Sequence, residues 1–355
     1  MKHTLVMVFK LTSFLGLLLF FLGCGGNADP AKHFSIQLEN KTLQQNQRVG
    51  VSIKNKKEVE ISNIRYFMDG KELVLENGQL TMALPHLGNK ILTAKFDIEG
   101  ETVEIEENLK LLAASAPEVY TYEIVNTYPH DTKAYTQGLE FHNGTLYEST
   151  GKRGGSTVRR VNFETGEVLQ KIEMDDTVFG EGITLMDEKL YQLTWQSGMG
   201  YVYNASNLEK IKNFSYGKSR EGWGLCNDGK KIFKSDGTEK IWFLDPETLE
   251  ETGHIETVTN KSIFNMANEL EYVDGKIYAN VYQKESMMII DATSGAIEGV
   301  INFGGLKSKV SKGGTDWDDT NSVLNGVAYH PERKTFFVTG KNWDKLFEVT
   351  IRKKD

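Results

Sequence analysis

Gln137-Gly-Leu-Glu-Phe141 is followed by four segments of the same design: Glu181-Gly-Ile-Thr-Leu185, Trp223-Gly-Leu-Cys-Asn227, Asn268-Glu-Leu-Glu-Tyr272 and Asn325-Gly-Val-Ala-Tyr329. Their apolar anchors Leu139, Ile183, Leu225, Leu270 and Val327 are spaced by 44, 42, 45 and 57 residues. Self-similarity at this period in strand-rich sequence predicts propeller blades. Each copy carries a large polar or aromatic residue two positions before its anchor. A radial array of five such slots forms a ring, so one site draws on residues far apart in the chain.

Each anchor is followed by a turn and a second strand-like run: Leu146–Thr150, Leu190–Thr194, Ile232–Asp236, Ile277–Val281 and Phe336–Gly340. Third and fourth runs complete four of the repeats, but the fifth stops after Lys345–Ile351. The run Tyr120–Asn126, just ahead of the first repeat, is able to supply the missing strand and so remove an open sheet edge. The expectation is an all-β chain whose residues 118–355 form a five-bladed β-propeller.

Upstream, residues 34–112 alternate apolar and polar residues in short runs such as Val49–Ile53 and Ile91–Phe96, separated by Asp69-Gly70, Asn77-Gly78 and Glu99-Gly100. About seven such strands suggest a small immunoglobulin-like β-sandwich, with no motif that carries chemistry. Ala113–Pro117 reads as a linker and residues 24–33 as a tether. Residues 1–23 hold Lys2, Lys10 and an apolar run, Leu11–Leu22, too short to span a bilayer but long enough for a signal-peptide core. Gly23-Cys24 at its end resembles a bacterial lipoprotein cleavage and lipidation site, with a plain secretory signal as the alternative. Either reading makes this an exported chain, and lipidation of Cys24 would anchor it outside the cytoplasm.

The 355 residues carry a net charge of −8, and loss of residues 1–23 removes two lysines and no acid. An acidic surface repels nucleic acid. Cys226, the other cysteine, reads as a small buried residue rather than a nucleophile, so no disulfide is available. The seven histidines show no zinc-ligand spacing. The aspartates of Gly313–Asp319 lack the alternating order of a calcium loop. Gly151–Gly155 reads as a flexible turn. No cofactor or metal is implied, and the chain is expected to be a monomer.

In a blade the start of the first strand and the end of the second meet at one channel mouth. The first-strand slot holds Gln137, Glu181, Trp223, Asn268 and Asn325. The second-strand slot holds Gly151, Trp195, Gly237, Tyr282 and Lys341. Glycine follows four of the five first-strand slots, allowing unusual backbone angles or close approach of a ligand. Glu269 replaces it in the fourth repeat, as a second acid or as a structural partner of a neighbouring blade. Apolar walls with few convergent polar groups suit a small molecule. A glutamate between tryptophans is desolvated, which raises its pKa toward a proton-shuttling value. The ring alone fits an enzyme and a binding module equally well. A lactonase-like metal hydrolase is disfavoured by the small number of carboxylates.

Eight ordered motifs resolve that choice. They are Tyr135–Phe141, Phe179–Thr184, Tyr191–Trp195, Glu221–Leu225, Asn268–Glu271, Ala279–Val281, Leu324–Ala328 and Val338–Lys341. Together they closely resemble the plant- and bacterial-type glutaminyl-peptide cyclotransferases over about residues 118–351, but not over the upstream sandwich. The resemblance implies a five-bladed propeller without a catalytic metal that converts N-terminal glutamine of peptides or proteins to pyroglutamate and ammonia. It implies Glu181 as the proton-transferring residue, Trp195 and Trp223 as pocket walls, and Gln137, Asn268 and Lys341 as polar positioning residues. Tyr282 departs from the family's usual tryptophan and narrows that wall. Glu269 and Asn325 are added to the pocket on their slot positions. The rival reading is a non-catalytic lipoprotein that holds peptides or glycans at the same mouth.

Overall fold

The structure, a computed structural model, describes residues 30–312 and 314–354. Cys24, the leader and most of the tether lie outside these residues. The described chain is built of β-strands, with 3-10 turns at Pro30–His33 and Lys307–Lys309.

Five antiparallel four-stranded units follow one another after residue 117. The first three are separate sheets, running from Thr136–His142 to Val168–Glu173, from Gly180–Met186 to Lys210–Ser215, and from Leu225–Asn227 to Glu251–Glu256. The fourth spans Ala267–Val273 to Ile297–Asn302. The fifth contains Leu324–His330, Thr335–Gly340 and Lys345–Lys353, completed by the upstream strand Glu118–Pro129. That strand pairs antiparallel with Lys345–Lys353, as the sequence suggested. It also pairs parallel with Ile297–Asn302 through Glu118–Tyr120, fusing the fourth and fifth units into one sheet.

The first strands of consecutive units touch in order, and Thr136–His142 touches Leu324–His330 to complete a circuit. Each seam has its own apolar core. Tyr147 and Val158 meet Ile183 and Leu190; Leu193 and Val202 meet Leu225 and Ile232; Phe233 and Ile241 meet Leu270 and Ile277. Met287 and Ile301 meet Val327 and Phe347, and Leu139 and Leu146 meet Ala328 and Phe337. The strand Gly180–Met186 is buried along its whole length, whereas Val168–Glu173 at a rim alternates half-buried and exposed residues. A strand with both faces covered is buried throughout, whereas an edge strand alternates. Burying each Val, Leu or Ile of these seams contributes about 1.5–3 kcal/mol. Cys226 is buried in the seam between the third and fourth units, where burial pushes its thiol well above its ordinary value.

The upstream module is a two-sheet sandwich with one core that includes Leu43, Leu80, Leu92 and Phe96. Its longest elements, Gly88–Ile98 and Glu101–Leu112, form a continuous hairpin. It is docked where the third and fourth units meet rather than trailing freely. Val258, Ile263 and Ala296 join its core, and Asn89 donates through its backbone N–H and its Nδ2 to Glu256 Oε2, at 3.0 and 2.8 Å. Ala113, read as linker, is buried and donates its N–H to the Thr259 carbonyl.

Candidate functional site

Pairing between the first and second strands slips at the slot in four units, between Thr136 and Gly138, Gly180 and Ile183, Ala267 and Leu270, and Leu324 and Val327. An extra residue at such a point bends the strand and re-aims a side chain. Gln137, Glu181, Asn268 and Asn325 all occupy these irregularities. In the third unit the regular strand begins only at Leu225, so Trp223 precedes it. The glycines after the slots serve a different purpose from the one the sequence suggested. A Cβ on Gly138, Gly182 or Gly224 would come within 2.5, 2.6 and 2.0 Å of the next unit's backbone. They allow neighbouring first strands to approach, not a ligand. Only Gly326, at φ +113°, also needs glycine's conformational freedom.

The slot carboxamides form a directed chain. Asn268 Nδ2 donates to Asn325 Oδ1 at 2.8 Å, and Asn325 Nδ2 donates to Gln137 Oε1 at 3.0 Å. The Gln137 side chain in turn hydrogen-bonds Glu181. With its oxygen already accepting, Gln137 presents its NH₂ to the carboxylate. Glu181 is 5% exposed. Burial holds its pKa well above the ordinary range, against the pull of the Lys341 ammonium, and the Glu221 charge raises it further. Lys341 is equally buried, and desolvation lowers it to about 8 despite the nearby Glu181 charge. Its ammonium lies 4.8 Å from the Tyr135 ring centre and 5.5 Å from that of Tyr282.

Around this pair stand half-buried aromatic walls. Trp195 packs edge-on against Phe179 at 5.7 Å, and Trp223 leans on Tyr282 at 5.3 Å. Both indoles donate Nε1–H to the same atom, Oε2 of Glu221, at 2.8 and 2.9 Å. Lys234, wholly buried, donates Nζ to the Glu221 carbonyl at 2.7 Å and to the Ser219 hydroxyl, 4.2 Å from the Tyr216 ring centre. Glu221, Tyr135, Phe179 and Lys234 were not singled out from sequence. Tyr135, Phe179 and Glu221 share a column two residues before their slots, alongside Met266 and Val323. Aligning the repeats two positions further back would have exposed that column.

The structure therefore brings Glu181, Gln137, Asn268, Asn325, Lys341, Trp195, Trp223 and Tyr282 to one end of the ring. Glu269 is engaged elsewhere: its oxygens accept the backbone N–H groups of Leu139 and Val327 at 3.2 and 2.8 Å. It links the fourth unit to the first and fifth, the structural alternative raised for it. Asp318 accepts from Thr320 N–H and Asn321 Nδ2, and Asp319 from Trp317 Nε1, so these loop acids are locally satisfied. Among the described residues no group of three His, Cys, Asp or Glu side chains is arranged to hold a metal ion.

A family model described as glutamine cyclotransferase matches residues 99–351, beginning inside the sandwich hairpin. The chain is 40% identical over 232 residues to a glutaminyl-peptide cyclotransferase of Arabidopsis thaliana, a span of 65% of this chain and 71% of that protein. It is also similar to the solved glutaminyl cyclase of Myxococcus xanthus, with TM-score 0.62 and 33% identity over 67% of this chain and 100% of that one.

Proposed function

The chain belongs to the glutamine cyclotransferase family, and from that premise we propose that it cyclises the N-terminal glutamine of peptides or proteins to pyroglutamate, releasing ammonia. The observation that carries this reading is the buried Glu181 carboxylate, hydrogen-bonded by Gln137 and set near Lys341 and near Glu221, the tether of two indoles.

In the reaction the substrate's α-amine attacks its own γ-carboxamide carbon. A C–N bond forms to the amine, and the bond to the carboxamide nitrogen breaks. Both partners belong to one molecule, so the site mainly selects the folded-back rotamer. Glu181 takes the proton that the amine sheds and returns it to the departing nitrogen, which leaves as ammonia. A carboxyl whose pKa is raised toward the working pH suits both halves of that cycle. Gln137 keeps the ionised form available by donating to it. The Lys341 ammonium, with no hydrogen bond to a described residue, is free to hold the carboxamide oxygen as negative charge develops there. Trp195, Trp223 and Tyr282 pack the glutamine methylenes and exclude water.

The five units and the upstream two-sheet module are read as a five-bladed propeller, residues 118–355, and an immunoglobulin-like sandwich, residues 34–112, joined by 113–117. Residues 1–23 are read as a lipoprotein signal, residues 24–33 as a tether and Cys24 as the lipid-bearing residue of an exported, membrane-anchored monomer. Detergent partitioning of wild type against Cys24→Ala tests the anchor, and a variant that partitions like wild type refutes it. The activity is tested by mass spectrometry of a Gln-initiated peptide. Turnover gives a loss of about 17 Da, the ammonia released by the acid–base cycle. An intact peptide would support a non-catalytic receptor instead.

A further inference from the structure

Residues 257–266 join the third unit to the fourth, and their two ends answer to different parts of the molecule. The outer part is a closed loop. Phe264 donates its N–H to the Thr257 carbonyl, the Thr257 hydroxyl donates to the Phe264 carbonyl at 2.7 Å, and the Thr259 N–H donates to the Ser262 carbonyl. The sandwich grips the tip of this loop. Val258 and Ile263 pack into the sandwich core, Ala113 donates its N–H to the Thr259 carbonyl at 3.1 Å, and Gln44 Nε2 donates to the Asn260 carbonyl at 3.4 Å. Beside the stem, Asn89 donates twice to Glu256 Oε2.

Past Phe264 the same segment enters the site. Met266 donates its N–H to the Gly237 carbonyl at 3.1 Å and accepts the Tyr282 N–H at 3.0 Å. Gly237 is the seat of Trp223: a Cβ there would lie 2.5 Å from the indole. The backbone of one residue thus braces the two aromatic walls, which lean on each other at 5.3 Å.

This stretch has little apolar anchorage of its own. Phe264 and Met266 are 45% and 39% exposed, so neither side chain is buried in a core. Met266 also holds a left-handed φ of +69°, a conformation that a residue with a Cβ keeps where its surroundings over-determine it. Backbone with few buried apolar contacts is the first to open locally. The neighbouring apolar anchorage is the loop tip in the sandwich.

We propose that the upstream sandwich is a positioning module of the active site: its grip on residues 257–266 sets the Met266 backbone and, through it, the spacing of Trp223 and Tyr282. The inference rests on the cyclotransferase reading and gives the sandwich a part in it. Glu181 and Lys341 belong to the second and fifth units, away from this connection. Loosening the grip therefore impairs the fit of the glutamine rather than the chemistry.

Asn89 is exposed, so Asn89→Asp spares the sandwich core while setting two carboxylates face to face. Its KM for Gln-Ala amide is expected to rise about 5-fold, within the range for coupling through a packed network, with kcat near the wild-type value. Hydrogen exchange of the substrate-free protein should speed up at the Met266 and Tyr282 amides. Adding Glu256→Gln, which supplies a donor to the introduced carboxylate, should restore both readouts. Ala113→Trp, a wedge in the buried contact with Thr259, is the second variant and should act as Asn89→Asp does. Unchanged exchange at Met266 and Tyr282 in both variants overturns the proposal. Faster exchange with an unmoved KM, or a loss confined to kcat, also overturns it. Absence of turnover by wild type overturns the cyclotransferase reading instead, and the exchange result still decides whether the sandwich holds the pocket.

Discussion

Asn325 donates Nδ2 to Oε1 of Gln137 at 3.0 Å, and this bond decides which end of the Gln137 amide faces Glu181. A carboxamide has one donor end and one acceptor end. Fixing the acceptor on Asn325 aims the donor at the carboxylate. Asn325→Ala frees the amide to turn, so the ionised form of Glu181 loses stabilisation and its pKa rises. The acid limb of the pH–rate profile should move to higher pH, and kcat/KM should fall about 10-fold, the scale of one hydrogen bond to a charged group. An unmoved acid limb would separate the carboxamide chain from catalysis.

Glu181→Gln keeps the shape of the side chain and removes its proton chemistry. Turnover should fall by roughly 10²–10⁴, while circular dichroism and melting temperature stay close to wild type. Full activity in this variant would rule out the proposed proton shuttle.

Desolvation lowers Lys341 to about 8, and its charge partly offsets the burial that raises Glu181. Wild type should therefore lose rate as the ammonium deprotonates above that pH. Lys341→Met should remove this alkaline limb, raise the acid limb and cut kcat by about 10²-fold, as loss of an oxyanion donor does. A steady-state profile from pH 5 to 10, a range wide enough to bracket both groups, reads all three effects.

Glu221→Gln replaces the shared charged acceptor of Trp195 and Trp223 with a neutral one. Charge-assisted bonds are roughly twice as strong as neutral ones. The indole walls should loosen, with KM rising about 10-fold, kcat changing less, and intrinsic tryptophan fluorescence shifting. A change in kcat alone would point to a direct role for Glu221 in the chemistry.

His130 sits where the first and fifth units meet, with Nδ1 at 2.8 Å from the Trp343 carbonyl and Nε2 at 3.0 Å from Glu148. Two acceptors require both ring nitrogens to donate, which is the imidazolium form. Desolvation lowers His130, but Glu148 outweighs it and the net pKa is raised; Glu148 is lowered to about 2 by His130 and Arg159 against its own burial. The His130 contribution is full below its unfolded value of about 6.5 and is lost as pH rises through the higher folded value. The Glu148 contribution is full above about 4.5 and is lost as pH falls toward 2. The stability gap between wild type and His130→Gln should be widest between these limits, at about 3 kcal/mol. Thermal melts across pH measure it, and a flat gap would refute the pairing.

The repeat was legible because one strand position recurs with one purpose. Anchors such as Ile183 and Val327 are buried in every unit, and the preceding slots meet at one end because the ring makes them equivalent. What escaped the sequence lies between repeats rather than within them. The glycines looked like ligand clearances, yet Gly182 and Gly224 answer to the backbone of the next unit, a distance no single strand encodes. Glu221 was hidden because its value comes from two indoles, 26 and 2 residues away. The parallel pairing of Glu118–Tyr120 with the fourth unit was invisible for a similar reason: antiparallel closure alone already satisfies the pattern.

Glu118–Pro129 is made early, yet its antiparallel partner Lys345–Lys353 is made more than two hundred residues later. During synthesis the loop therefore stays unlatched, and Gln137 on one side of the seam has no Asn325 or Lys341 on the other. Competence arrives at a single late moment instead of growing blade by blade. A nascent or clipped polypeptide is thus chemically silent, and only a molecule that has been copied through to its final strand is armed.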